Sequence, residues 1–176
     1  MKKVLIVIDM QNDFIDGSLG TAEARAMIPA ASAFIHDNPW DLTIFSHDTH
    51  FDDYLDTPEG KALAIPHCIY GTWGWEINSQ IAASPTESPW IIRKRNFGTM
   101  DWKEVLKGLR FKDDFEIHII GLCTDICVVT NALIMKTQMP YIPITVHTKY
   151  CAGTTPEAHE AAIMIMRNCQ LNIKEG

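Results

Sequence analysis

Apolar runs of strand length recur along the chain at Val4 to Ile8, Leu42 to Ser46, Trp90 to Ile92, Glu116 to Ile120 and Tyr141 to Val146. Between them lie amphipathic or alanine-rich stretches at Ala22 to Ile35, Trp102 to Leu109, Ile126 to Lys136 and Pro156 to Asn168. Strands that are apolar on both faces and alternate with helices predict parallel β-α units wound around one sheet, with helices on both sides. A short last strand around Leu171-Asn172-Ile173 brings the count to six. The expected fold is therefore a three-layer α/β/α sandwich around a six-stranded, mainly parallel sheet. The segment from Thr49 to Ser88 breaks the alternation: it is rich in Asp, Gly, Pro, His and Trp, with at most a short helix near Trp75 to Ala82. A connection this long inside a compact domain is usually functional. No repeat, low-complexity tract or linker marks a boundary, so residues 1–176 are expected to form one domain.

Composition narrows the class. A content of 47% hydrophobic and 21% charged residues is globular, and a net charge of −7 without a basic run argues against nucleic acid or an anionic membrane as partner. The start Met1-Lys-Lys-Val-Leu-Ile-Val-Ile resembles a signal peptide, but Asp9 interrupts it and Gln11-Asn-Asp13 follows without a cleavage pattern, so it reads as a first strand. No uninterrupted apolar segment approaches the roughly 20 residues that cross a bilayer. Five cysteines, an odd number without a secretory signal, fit free thiols in a reducing compartment, and the cytoplasm is the expected location.

In open α/β sheets the ligand crevice lies beyond the carboxyl ends of the strands. Here the first strand ends in Asp9, the second in Ser46-His47-Asp48-Thr49-His50, the third in Arg93-Lys94-Arg95, and the fourth in Gly121-Leu-Cys-Thr-Asp-Ile-Cys127. Each alone has a bland reading, as a capping carboxylate, surface histidines or a solvated cation. Their placement at one edge of one sheet is far less expected by chance. A cysteine at a helix N-terminus meets unpaired N–H groups and a positive dipole end, which lower its thiol pKa and bind a developing oxyanion. The alternative for Cys127 is a buried structural thiol.

With a carboxylate to accept a proton and a lysine to favour the charged forms, Asp9, Lys94 and Cys127 make a candidate catalytic triad. In the expected cycle Asp9 takes the thiol proton, the Cys127 thiolate attacks an amide carbonyl, ammonia leaves with the proton, and water hydrolyses the thioester. The oxyanion would sit against the backbone N–H groups of Cys123 and Cys127. A second group, Asp48, His50 and His67, is a mixed oxygen and nitrogen set suited to Zn²⁺, Fe²⁺ or Mn²⁺. Cys68 is a further candidate ligand. Glu59 is either a fourth ligand, a hydrogen-bond partner of the ligands, or an exposed turn carboxylate.

Together, the blocks Ile8-Asp-Met-Gln-Asn-Asp-Phe14, Asp48-Thr-His50, Pro66-His-Cys-Ile-Tyr-Gly-Thr72 with Gly74 and Glu76, Lys94, and Gly121-Leu-Cys-Thr-Asp-Ile-Cys-Val128 resemble the isochorismatase-like cysteine hydrolases, above all the nicotinamidase-related amidases. The resemblance spans nearly the whole chain. It implies a Rossmann-like, isochorismatase-like hydrolase fold and the Asp9, Lys94 and Cys127 triad. It also implies Asp48, His50 and His67 as ligands of a divalent metal, Zn²⁺ first, which binds the pyridine nitrogen in nicotinamidases. A cis peptide just before Cys123, Phe14 packed against the substrate ring, a small-molecule amide as substrate and a homo-oligomeric state follow from the same resemblance.

Two departures bear on substrate. Ala64 stands where the family's pocket tryptophan is expected, leaving Trp73 and Trp75 as candidates to close the pocket. The block Lys94-Arg-Asn-Phe-Gly98 lacks the Ser-Ala-Phe ending of many relatives, a change expected to reshape the pocket wall. The expected activity is hydrolysis of nicotinamide or a close heteroaromatic amide, with another small amide, carbamoyl or ureido compound as the alternative. A non-catalytic binding role is opposed by the intact triad. Isochorismate cleavage is opposed by Cys127, and thiol redox chemistry by the three-residue gap between Cys123 and Cys127.

Overall fold

A computed structural model describes residues 1–82, 90–108 and 114–176. The apolar runs form β1 (Lys2–Ile8), β2 (Leu42–Asp48), β3 (Trp90–Lys94), β4 (Phe115–Leu122), β5 (Ile144–Ala152) and β6 (Asn172–Lys174). They pair in the order β3-β2-β1-β4-β5-β6, and every pairing is parallel. The helices are α1 (Asn12–Ile15), α2 (Ala22–Asp37), α3 (Pro58–Ala62), α4 (Ser79–Ala82), α5 (Trp102–Lys107), α6 (Val129–Gln138) and α7 (Pro156–Asn168). None of them is long and apolar enough to cross a membrane, and all five cysteines are free thiols.

The period-2 geometry of a strand explains why β1 is apolar throughout. Val4, Ile6 and Ile8 point into one core with Trp102 of α5, Met135 of α6 and Met166 of α7, while Leu5 and Val7 point into the other with Met27, Ile28 and Ala31 of α2. Thr21 and Thr155 cap α2 and α7 by accepting hydrogen bonds from the Ala24 and Ala158 N–H groups, and Pro156 opens α7 with a fixed φ where an N–H is dispensable.

Three boundaries differ from the sequence reading. Tyr141 is exposed, and β5 begins only at Ile144 but runs past the expected end at Val146, through His147-Thr-Lys-Tyr150, to Ala152. The Pro143 carbonyl still accepts from Ile117 N–H, but prolines at 140 and 143 have no N–H for a ladder. In place of a helix over Trp75 to Ala82 stand a 3-10 turn, Trp73–Trp75, and α4. The helix after β4 opens with a π-turn, Thr124–Val128, before α6. Leu109 and the end of the Thr49 to Ser88 segment lie outside the described residues.

The chain runs outward from β1 to β2 and β3, then returns to place β4 on the other side of β1. The crevice beyond Ile8 and Leu122 is thus the topological switch point, where such sheets bind ligands. Gly121 lets the two strands close up there: it pairs with Ile8, has φ +139°, and a Cβ on it would overlap the Ile8 carbonyl. Gly121→Ala is expected to cost about 2–4 kcal/mol, from a disfavoured φ together with overpacking. A urea midpoint equal to wild type would contradict this.

Candidate active site

Sheet order brings together residues that are far apart in sequence. Lys94, at the end of β3, reaches across β2 to β1, where its Nζ lies 2.6 Å from Asp9 Oδ2. The same ammonium sits 3.3 Å from Asp48 Oδ1, donates to the Asn96 carbonyl at 3.0 Å, and lies 3.6 Å from Cys127 Sγ. The other Asp9 oxygen accepts from the Ser46 hydroxyl at 2.7 Å, and the Asp9 N–H donates back to that hydroxyl at 3.2 Å. All of these side chains are buried. A buried cation persists only when paired, and Lys94 is held by two carboxylates.

The electrostatics of the free site correct one expectation. Burial pushes the Cys127 thiol well above its ordinary range; Lys94 opposes this, while Asp9 and Asp48 add to it. Burial also raises Asp9, with Lys94 pulling the other way, and Lys94 stays charged despite its own burial because Asp9, Cys127 and Asp48 face it. Cys127 therefore rests as a thiol beside an ion pair, where a helix N-terminus was expected to lower its pKa. The physical reason is burial, which with two carboxylates nearby outweighs the single ammonium of Lys94.

Asp48, His50 and His67 converge as expected, with one ligand atom of each within 4.8 Å of the others. Asp48 Oδ2 is 3.1 Å from His50 Nε2 and 3.6 Å from His67 Nε2. Glu59 Oε1 lies 3.7 Å from both imidazole nitrogens. Thr57 caps α3 and Pro58 opens it, which places Glu59 in the first turn and facing inward, so it is not an exposed turn carboxylate. The second ring nitrogen of His67 is anchored by the Ile65 carbonyl at 2.9 Å, the kind of support that orients a metal-ligating imidazole. Burial alone would raise the Asp48 carboxyl, but Lys94 and the two imidazoles hold it far below the usual carboxylate range. A buried carboxylate and two buried imidazoles, with the partly exposed Glu59 beside them, are a donor set that fits a divalent cation. Cys68 is excluded from it: its N–H donates to Asp13 Oδ2 at 2.8 Å, and its thiol is packed in the α2-side core.

Asp48 joins the two groups, with one oxygen on Lys94 and the other on the histidines. Gln11, given no individual role by the sequence reading, holds Asp48 in place. Its carboxamide accepts from the Asp48 N–H at 2.7 Å and donates to the Asp48 carbonyl at 2.8 Å, as a neighbouring strand would. The available signal was a polar side chain directly after a doubly apolar strand.

Above these groups lies a cavity of about 340 Å³. Cys123, Cys127, Asp48 and His67 line it together with Phe14, Leu63, Phe97 and Ile126. The Phe14 ring is 5.6 Å from that of His67. Trp73 and Trp75 do not close the cavity: Trp73 points to solvent, and Trp75 stacks on His47 at 4.3 Å with its indole N–H on Thr49 Oγ1. Ala64 is itself exposed, and the wall is built by Leu63 and by Phe97 from the altered Lys94 block. The Leu122–Cys123 peptide is cis.

Comparison with known proteins places the fold and the family. An isochorismatase domain matches residues 3–174. The chain is 26% identical over 183 residues to the nicotinamidase/pyrazinamidase of Mycobacterium tuberculosis, covering 97% of both proteins. It superposes on the crystal structure of nicotinamidase/pyrazinamidase PncA from Bacillus subtilis with a TM-score of 0.78 and 30% identity, covering 99% of this chain and 100% of that one. The fold is also that of the pyrazinamidase of Pyrococcus horikoshii solved in complex with zinc, at a TM-score of 0.80, 23% identity and full coverage of both chains. The chain belongs to the isochorismatase family and is a hydrolase acting on carbon–nitrogen bonds other than peptide bonds.

Proposed function

We propose that this hydrolase is a cysteine-dependent amidase that converts nicotinamide, or a close neutral heteroaromatic carboxamide, to the acid and ammonia. The observation that carries the reading is the junction at Asp48: the Asp9, Lys94 and Cys127 cluster and the Asp48, His50 and His67 group share one floor beneath one apolar cavity. The cavity wall also selects among amides. Phe14, Leu63, Phe97 and Ile126 suit a flat ring, and among the described residues no arginine or lysine lines the wall to receive a substrate carboxylate. A carbamoyl or ureido acid would find no cationic side chain among those lining residues to pair its carboxylate, which disfavours the alternative substrate class. The nicotinamidase relatives support the same choice.

In the proposed reaction Asp9 accepts the Cys127 thiol proton, and Lys94 stabilises the thiolate as sulfur bonds to the amide carbon. The backbone N–H groups of Cys123 and Cys127 receive the oxyanion, a contribution typically worth about 2.7–4 kcal/mol of barrier. Asp9 then returns the proton to the departing amine, and ammonia leaves a thioester on Cys127. Water, deprotonated by Asp9, releases the acid and restores the thiol. A divalent cation, Zn²⁺ first with Fe²⁺ or Mn²⁺ as alternatives, would be held by Asp48, His50 and His67, with Glu59 beside it, and would supply a Lewis-acid site for a ring nitrogen.

Zn²⁺-loaded protein is expected to release ammonia from nicotinamide, and to act at least about 100-fold more slowly on N-carbamoyl amino acids, since burying a carboxylate against an apolar wall without a cationic side chain costs several kcal/mol. His67→Ala is expected to raise KM more than it lowers kcat, because it removes a ligand and leaves the triad intact. Absence of ammonia release from nicotinamide by the loaded wild type would sink the substrate assignment.

A further inference from the structure

Asn131, one helical turn after Cys127, is fully buried and lies outside every group used so far. Its Nδ2 donates to the Cys127 carbonyl at 2.7 Å and to the Phe97 carbonyl at 3.0 Å. Its Oδ1 accepts from the Thr99 N–H at 3.1 Å and from the Trp102 indole N–H at 2.8 Å. Two N–H donors and two lone pairs are the full capacity of a carboxamide, so this side chain is saturated. Such complete satisfaction of a buried polar group marks a specific linkage, since each lost partner leaves a desolvated group behind.

The four partners belong to two segments. One is the nucleophile turn. The other is the loop between β3 and α5 together with Trp102 at the start of α5; the first residues of this loop hold the Lys94 ammonium through the Asn96 carbonyl, and its Phe97 forms part of the cavity wall. The loop lies flush on α6: a Cβ on Gly98 would come within 2.8 Å of Thr130 Cγ2 and Ile134 Cδ1. Phe97 is 48% exposed, so packing from its outer side does little to hold it.

We propose that Asn131 is a positioning residue. It acts as a clamp: its bond to the Cys127 carbonyl fixes the nucleophile turn, and with it the 3.6 Å approach of Lys94 Nζ to Cys127 Sγ, while its bonds to the loop fix the place of Phe97 in the wall. This rests on the reading of Cys127 as the nucleophile. The two functions of the clamp are separable by substitution. A threonine hydroxyl bonds the carbonyl one turn back in a helix, so Asn131→Thr keeps the bond to Cys127 and loses the bridge to the loop. Asn131→Leu, of similar volume, loses both.

The test combines iodoacetamide alkylation of Cys127, followed by mass spectrometry, with steady-state ammonia release. Asn131→Thr is expected to alkylate and to turn over at nearly the wild-type rate while KM rises about tenfold, as for a wall group displaced without loss of the nucleophile. Asn131→Leu is expected to slow both alkylation and kcat by about 100-fold, the effect of roughly an ångström of misplacement. If the leucine variant does not fold, a cycle with Phe97→Ala decides: the KM effects of Asn131→Thr and Phe97→Ala should not multiply in the double variant, since both act through the same ring. Multiplying KM effects, or a folded leucine variant with wild-type alkylation, would overturn the proposal. A wild type that alkylates at Cys127 yet leaves nicotinamide intact overturns the substrate assignment instead, and the alkylation comparison still judges the clamp.

Discussion

Cys127→Ala is expected to lower ammonia release by about ten-thousand-fold or more, in keeping with the loss seen when a covalent nucleophile is deleted while the rest of a site survives. The sulfur is the atom that forms the thioester, and no other side chain described in the cluster replaces it: Cys123 lies on the cavity wall, but it is Cys127 Sγ that has the Lys94 ammonium 3.6 Å away. Little else should change. Cys127 is packed against the core beneath α6, and removing one sulfur from it leaves a small cavity with a correspondingly modest loss of stability. The measurement is ammonia release at saturating nicotinamide, with intact-mass spectrometry of quenched wild type to catch the acyl-enzyme. A variant retaining more than about a tenth of the wild-type rate would falsify the covalent route.

Asp9→Asn is expected to remove activity and, separately, to destabilise the protein by about 3–5 kcal/mol, because it deletes one partner of a buried ion pair. The Lys94 side chain is 1% exposed, so its ammonium cannot regain water when the 2.6 Å partner becomes neutral. Asp48, at 3.3 Å, is left as its only carboxylate in contact and is shared with the histidines. Asparagine is the right replacement for this test because Asp9 has φ 45°, a left-handed conformation that asparagine tolerates well. The double variant Asp9→Asn with Lys94→Met removes both charges, and much of the stability should return while activity stays absent. Urea denaturation of the three proteins gives the result. An Asp9→Asn midpoint equal to wild type would mean that the pair does not hold Lys94 as its geometry requires.

The site was legible to different depths for different physical reasons. Asp9, Asp48, Lys94 and Cys127 stood out because polar and reactive residues directly after doubly apolar strands lie, in a parallel sheet, at one edge. His67 and Glu59 lie within a long irregular connection, and only the chemistry of the residue types and the resemblance pointed to them. Gln11 and Asn131 were passed over as individuals because a carboxamide does its work through whichever backbone groups surround it, and sequence carries no record of those. The pocket wall was misread for a related reason. Trp73 and Trp75 were the conspicuous side chains, yet Trp75 is taken up by His47 and Thr49, and Leu63 and Phe97 occupy the wall.

By itself, the sequence determined the layered fold, the all-apolar strands and the set of reactive residues at their ends, because burial on two faces leaves a continuous apolar run and a strand's end leaves a polar one. The tertiary structure alone decided that Asp48 serves two groups at once, that Lys94 crosses β2 to reach Asp9, and that Cys127 rests as a protonated thiol. Those outcomes depend on strand order and on burial, which set the distances between charges and the water left around them, and neither quantity is a property of any local stretch of chain.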